Sequence, residues 1–293
     1  MMRSLMLKSL MITSLLSTSI FANSVNDDKV VIYETKKITS LIKRNKKVKL
    51  NSMNLVLKKD LKQNGWFGYV FNLNLDVGGK KATQKHYVFS NGEMIAPDLI
   101  NINSKRSFRD TLYPKLSNRY FSKEHLIAGN PNAKHTLVIF SDPLCPICVD
   151  EVPMIMKNII DNPDNIALYY YHMPLRMHPT ASTLSKASMI ASNMGIKNVD
   201  YRLYNANGKY FYGEDKDMKY DPYEERDHKK ALDYFNKLFK TNITMAQIKD
   251  KKWEDKLKYD QKMAEDAFVG GTPTLFFDGE IDKKRDKYEK YLK

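Results

Sequence analysis

Along this chain the spacing of apolar residues changes period several times, and each change marks an element. Ile38, Leu41 and Ile42 stand at i, i+3 and i+4 among lysines, the spacing of one face of a short amphipathic helix. From Val48 the period becomes two. Phe71, Leu73, Leu75 and Val77 alternate with Asn72, Asn74 and Asp76, which predicts a half-buried strand. Asn64-Gly65, Gly78-Gly79 and Asn91-Gly92 are turn pairs, and the last two send the chain back through 83–89 and 93–95. Residues 23–103 therefore read as a small α+β domain, a helix followed by an antiparallel meander. Phe108, Leu112, Leu116 and Tyr120 return to helical spacing, with Ser104 or Ser107 as caps. Residues 104–128 read as a helical linker that Pro114 kinks or breaks. Gly129-Asn130-Pro131-Asn132 punctuates the start of a second domain, 129–293.

In the second domain His135 to Phe140 is a short, β-branched apolar run that predicts a buried strand. Val149, Pro153, Met156, Ile159 and Ile160 follow at helical spacing, so a helix begins near Cys148. Ile166 to His172 is a second strand, which a right-handed crossover sets parallel to the first. The stretch from 179 to 268 reads as a helical insertion. Pro179 suits a first helical turn, and Leu184, Ala187, Ala191 and Met194 continue from it. Residues 201–223 lack a clear period and are expected to be irregular. Residues 229–239 and 246–268 read as helices, the second with a core-facing stripe of Trp253, Leu257, Ala264 and Phe268. Thr274 to Phe277 is a third strand, and 284–292 a closing helix. Only Glu280-Ile281 remain for any further strand after Asp278-Gly279, so an edge strand there must be very short or absent.

Composition narrows the picture. A chain of 293 residues has room for two domains. The formal charge of +14 is spread over the whole length rather than gathered into a stripe, which argues against a nucleic-acid partner. Residues 1–22 carry Arg3 and Lys8, an apolar stretch with Leu10-Met11-Ile12 and Leu15-Leu16, then Ser19-Ile20-Phe21-Ala22. That order is a secretory signal peptide cleaved after Ala22. Its apolar run is too short and too interrupted by Ser and Thr to span a bilayer. The mature protein is expected to be soluble and exported, into a compartment where disulfides form.

The candidate chemistry lies in Phe140-Ser141-Asp142-Pro143-Leu144-Cys145-Pro146-Ile147-Cys148, which holds the chain's only two cysteines. Strand, tight turn and Cys-x-x-Cys at a helix start bring both sulfurs to one side of the first turn. There the unpaired N–H groups and the dipole favour a thiolate, the species that attacks disulfides. Three readings are open. Zinc would need two of the six histidines, of which His172 and His178 are the only close pair. A structural disulfide would close a loop too small to constrain much of the unfolded chain. Redox exchange uses what is present, with neither metal nor cofactor. Between the cysteines, Pro146 lacks an N–H and Ile147 lacks a polar side chain, so neither residue tunes Cys145 by a side-chain hydrogen bond. Asp142, Asp150 and Glu151 oppose a thiolate by charge. Cys145 is thus expected to owe its activation mainly to backbone N–H groups and the dipole, with a moderately lowered pKa. Ile139 stands where some thioredoxins keep a buried acid, so removing the Cys148 proton requires another group or water.

The segment Phe140–Cys148 resembles the active site of periplasmic thioredoxin-fold oxidoreductases, most closely the DsbC/DsbG group of disulfide isomerases. Gly270-Gly271-Thr272-Pro273-Thr274-Leu275-Phe276-Phe277 adds to the resemblance. By itself Thr-Pro is an ordinary loop pair. In the thioredoxin fold an X-cis-Pro pair lies beside the Cys-x-x-Cys and leaves backbone groups free to pair with a substrate strand. The resemblance makes Thr272 and Pro273 that pair. It implies a thioredoxin fold with helical insertion, a periplasmic location, exported cysteine-containing proteins as substrates and a membrane redox partner. It also implies a homodimer formed through the N-terminal domain, which could otherwise be a monomeric appendage. Cys145 would form the mixed disulfide and Cys148 resolve it. An isomerase or reductase is the favoured activity; a DsbA-like oxidase and a thiol-independent chaperone are the alternatives.

Overall fold

The computed structural model describes residues 25–45, 47–213 and 221–292. The expected signal peptide lies outside them. Contacts divide the chain into two units, one ending at Arg109 and the other beginning at Asp110. Among the described residues no helix is long and apolar enough to cross a membrane.

The first unit is one helix on one sheet. Helix α1 (Val25–Ile42) packs on the meander β1 (Val48–Gln63), β2 (Trp66–Val77), β3 (Lys80–Ser90) and β4 (Ile95–Ala96), paired antiparallel in that order. The helix is much longer than Ile38, Leu41 and Ile42 suggest, because two positions on its buried face are acids. Asp27 and Glu34 stand there with Val30 and Ile38, and Glu34 is wholly buried. Asp27 accepts hydrogen bonds from Tyr69 Oη at 2.8 Å and Lys58 Nζ at 2.8 Å. Glu34 lies 2.8 Å from His86 Nε2 and 3.1 Å from Lys37 Nζ. A carboxylate persists in such a place only when paired. The apolar filling comes from Tyr69, Phe71, Val88, Leu73 and Leu75 of the sheet. A two-stranded hairpin, β5 (Ile100–Asn101) with β6 (Arg106–Ser107), follows.

The expected helix over the linker does not form. Short 3-10 turns at 108–111, 118–120 and 123–125 take its place. Pro114 withholds a donor, and the Leu116 N–H bonds Gly279 O at 2.9 Å instead of a carbonyl in its own turn. Leu112, Leu116 and Tyr120 are nevertheless buried, so the apolar spacing reports burial without helix.

The second unit is a five-stranded mixed sheet flanked by helices. Its strands are β7 (Leu126–Gly129), β8 (His135–Ser141), β9 (Ile166–His172), β10 (Thr274–Phe277) and β11 (Glu280–Asp282), in the order β11-β10-β8-β9-β7. The central pair β8–β9 is parallel, in register from His135↔Ile166 to Ser141↔His172. Helix α2 (Pro146–Asp161) makes the crossover. Leu137, Ile139, Tyr170 and Leu275 face α2 on one side of the sheet, and Val138, Phe140, Tyr171 and Phe276 face Met263 and Ala264 on the other. Both faces are covered, which is why β8 and β9 are apolar without alternation. The insertion is α3 (Ala181–Asn193), α4 (Val199–Phe211), α5 (His228–Phe239), α6 (Met245–Ile248) and α7 (Lys251–Asp266). This is a thioredoxin-like fold carrying a helical insertion.

Several elements differ from the pattern. Helix α4 occupies residues expected to be irregular, because Asp200, Asn207 and Gly208 fill buried positions where the eye seeks apolar residues. The run from 246 to 268 is two helices. Thr244 caps α6 with a capping box, and Asp250 restarts the chain by accepting from the Lys252 N–H. The closing helix is a 3-10 turn over Lys287–Tyr291. Strand β11 is three residues long, and β7 has too few residues to show a period.

Candidate active site

Cys145 is the N-cap of α2 and Pro146 its first residue, so the helix begins on the backbone of Cys145 itself. The loop before it is held by Asp142, which is fully buried. Asp142 accepts from the Leu144 N–H at 2.7 Å and the Leu175 N–H at 2.6 Å, and lies 2.8 Å from His178 Nδ1. That hydrogen bond raises the His178 pKa above its ordinary value, against partial burial. Asp142 is therefore engaged by a histidine and two backbone amides. Asp150 accepts from the Tyr212 hydroxyl, and Glu151 pairs with Arg285 at 2.7 Å. All three acids have partners.

Both cysteines are unbonded. Cys145 is 6% exposed and Cys148 not at all. The Cys145 thiol donates to Thr272 O at 3.4 Å, and the Thr272–Pro273 peptide is cis. The structure thus brings Cys145, Cys148, Thr272 and Pro273 together, with Pro146 and Ile147 exposed beside them. The Cys145 pKa is lowered to about 6. Its first cause is the Cys148 thiol, which donates to the Cys145 thiolate. Partial burial opposes this. Thr272 then helps, and the backbone N–H groups of Cys148 and Ile147 come after. The expected order of causes is therefore reversed: the second cysteine leads and the backbone follows. Burial, then the hydrogen bond with Cys145 and after it the charge of Cys145, hold the Cys148 thiol well above its ordinary value. One sulfur is thus the readier to ionise and the other is held in its thiol form behind it.

The histidines of the zinc alternative are both engaged with carboxylates. His172 lies 3.1 Å from Asp200 through Nε2 and 3.3 Å from Asp260 through Nδ1, and His178 holds Asp142. Three residues near the sulfurs had no motif to mark them. Ser141 Oγ at the end of β8 lies 2.6 Å from Tyr204 Oη, which lies 2.7 Å from Tyr170 Oη. Serine and tyrosine at the end of a strand or on a buried helix face give no pattern by themselves; only the fold assembles them.

A Cys-x-x-Cys at a helix start, beside a cis-proline turn in a thioredoxin-like sheet, defines a thioredoxin-fold protein. The thioredoxin family matches residues 122–293, more than half the chain, and the chain belongs to that family. Among solved structures it is similar to a thioredoxin-like oxidoreductase from Silicibacter pomeroyi (15% identity, 57% of this chain and 87% of that one, TM-score 0.44). It is also similar to the thiol-disulfide exchange protein alpha-DsbA2 from Wolbachia pipientis (19% identity, 56% and 81%, TM-score 0.42). A third likeness is to oxidised BdbD from Bacillus subtilis (16% identity, 62% and 98%, TM-score 0.43). No curated protein matches the chain.

Proposed function

We propose that this protein exchanges thiols and disulfides on exported proteins, as a disulfide isomerase or reductase of the DsbC/DsbG kind. The observation that carries the reading is the pairing of a thiolate-prone Cys145 with a buried, protonated Cys148, facing the Thr272 carbonyl. In the forward step the Cys145 thiolate attacks a substrate disulfide. A Cys145–substrate bond forms, and the substrate's other sulfur leaves with the electron pair. The Cys148 sulfur, once deprotonated, attacks Cys145, closes the internal disulfide and releases the reduced substrate thiol. Thr272 and Pro273 offer backbone to an extended substrate, while Pro146 and Ile147 present a surface without side-chain donors. The apolar, positively charged leader supports export to the periplasm. There a membrane partner would return electrons, and the N-terminal unit would pair two copies. No cofactor is required.

The test is the resting state of Cys145 and Cys148 in the native cell, read by alkylation and gel shift, with a Cys145→Ser variant assayed alongside for refolding of a scrambled disulfide substrate. Mostly reduced cysteines and loss of refolding in the variant are expected. Mostly oxidised cysteines would move the protein to the oxidase role. Refolding activity that survives the variant would leave only a thiol-independent chaperone.

A further inference from the structure

The second unit holds a cavity of about 950 Å³ that neither cysteine lines. Pockets that take small ligands run from about 300 to 1,000 Å³, whereas voids in a close-packed core are far smaller. Its floor is a chain of charged side chains from the turn before β7, from β9, α4 and α7, each more than nine-tenths buried. His125 Nε2 lies 2.7 Å from Asp260 Oδ1, His172 Nδ1 lies 3.3 Å from Asp260 Oδ2, and His172 Nε2 lies 3.1 Å from Asp200 Oδ1. Burial opposes the His172 charge, but Asp200 and Asp260 outweigh burial and raise its pKa to about 9. Most of the floor's polar capacity is thus matched within the floor. Asp200 Oδ2 is the exception, since no described residue donates a hydrogen bond to it.

Above that floor Ile127, Met156, Ile160, Ile196 and Val199 make the walls apolar, with the ring of Trp253 beside them. Three lysines border the space as well. Lys197 is exposed, Lys252 Nζ lies 4.5 Å from the centroid of the Trp253 ring, and Lys256 Nζ lies 3.6 Å from Glu124. Set against one glutamate, they leave the border cationic. A cationic ligand would meet those lysines and the charge of His172 together, and a wholly polar ligand would leave the aliphatic walls facing its own hydrogen-bonding groups.

We propose that this cavity binds a free amphipathic anion, a medium-chain carboxylate that carries a hydroxyl at its far end. The acidic group sits at Lys252 and Lys256, the chain lies against Met156, Ile160 and Ile196, and the hydroxyl donates to Asp200 Oδ2. Each part of that ligand answers one part of the wall. The lysines select the sign of the head, the aliphatic residues gain by burying the chain, and the carboxylate oxygen left over in the floor selects a donor at the tail. The site shares no residue with the thiol-exchange site and stands independently of that reading.

The experiment titrates the full-length protein with dodecanoate, ω-hydroxydodecanoate and dodecylamine, each below its micelle concentration, and reads tryptophan emission. Trp66 and Trp253 are the two tryptophans of the chain, and of these only Trp253 lines the cavity. Both acids are expected to change the emission saturably, with the amine about tenfold weaker or more. The hydroxylated acid should bind about tenfold more tightly than the plain one, as one hydrogen bond to a charged group gives. Reversing the border charge in a Lys252→Glu, Lys256→Glu double variant should weaken both acids about tenfold and strengthen the amine. The signal should vanish in Trp253→Phe. If that variant fails to fold, Trp66→Phe, which keeps Trp253 alone, must retain the signal. No saturable change, equal binding of acid and amine, or undiminished binding of the acids in the charge-reversed variant overturns the proposal. Equal affinities for the two acids overturn the contact assigned to Asp200.

Discussion

Cys145 shows how a single sulfur draws its reactivity from neighbours rather than from the motif that marks it. Pro146 and Ile147 contribute no donor, as their side chains require, and the thiolate is held first by Cys148 and then by Thr272. This has a stability consequence with a definite sign. A thiol whose folded pKa is depressed, from 9.0 to about 6, stabilises the folded reduced protein fully above the unfolded value and loses that effect as pH falls through about 6. Iodoacetamide labelling of Cys145 is therefore expected to titrate with a midpoint near 6. The stability advantage of the reduced wild type over Cys145→Ser, read by urea unfolding, should shrink over that same acid limb. A labelling midpoint at the ordinary thiol value would remove the assigned role of the Cys148 hydrogen bond. The two cysteines were legible from their spacing, and Thr272-Pro273 only through the family resemblance. The roles of Ser141, Tyr204 and His178 were not, because a hydrogen bond between residues 63 apart, as Ser141 and Tyr204 are, has no local trace in the sequence.

Elements were readable where one face was apolar and unreadable where polar residues shared it. Strands β2, β8, β9 and β10 follow their patterns closely. Helix α4 was hidden by Asp200, Asn207 and Gly208, and most of α1 by Asp27 and Glu34. Two glycines separate the packing roles of these elements. Gly208 lies on α4 against α2, and a Cβ there would meet Val149 Cγ1 at 3.5 Å, an ordinary contact. Gly208→Ala is expected to raise stability by about 0.5–1 kcal/mol, since alanine restricts the unfolded chain more. Gly129 ends β7 with φ +79°, and a Cβ there would fall 1.9 Å from Ile166 O, which is backbone. Gly129→Ala should cost about 2 kcal/mol or more through strain and displaced pairing with β9. Thermal unfolding of the two variants checks both signs, and equal shifts in the same direction would contradict the contacts described.

At the scale of the second unit, the helical insertion is tied to the sheet by charge as well as by apolar packing. Asp260 of α7 accepts from the His172 N–H at 3.0 Å and lies 2.7 Å from His125 Nε2, while Asp200 of α4 holds the other side of His172. Burial alone would raise the Asp260 pKa, but His125 and His172 outweigh it and lower it. Its contribution is complete above the ordinary value of 3.8 and is lost as pH falls through the lower folded value. The His172 contribution is complete below 6.5 and is lost as pH rises through about 9. The contribution of this cluster, opposite in slope to that of Cys145, is thus expected to be greatest between about pH 4 and 6.5 and to decline toward 9. Asp260→Asn should cost about 3–5 kcal/mol, as breaking a buried pair does, and should flatten the alkaline decline. Denaturant midpoints across pH test this, and parallel profiles for wild type and variant would show that the cluster does not set the slope.

Asp142 touches no substrate, yet it fastens the loop leading into Cys145 to the loop that follows β9. Neither loop can drift without releasing the Leu144 and Leu175 amides together with His178. Under the proposed exchange reaction, a partner strand arriving beside Cys145 would meet a rim that is already set. Little of the binding free energy would go into ordering the protein's own backbone, and selectivity among partners would fall to their shape and flexibility more than to any adjustment by the site.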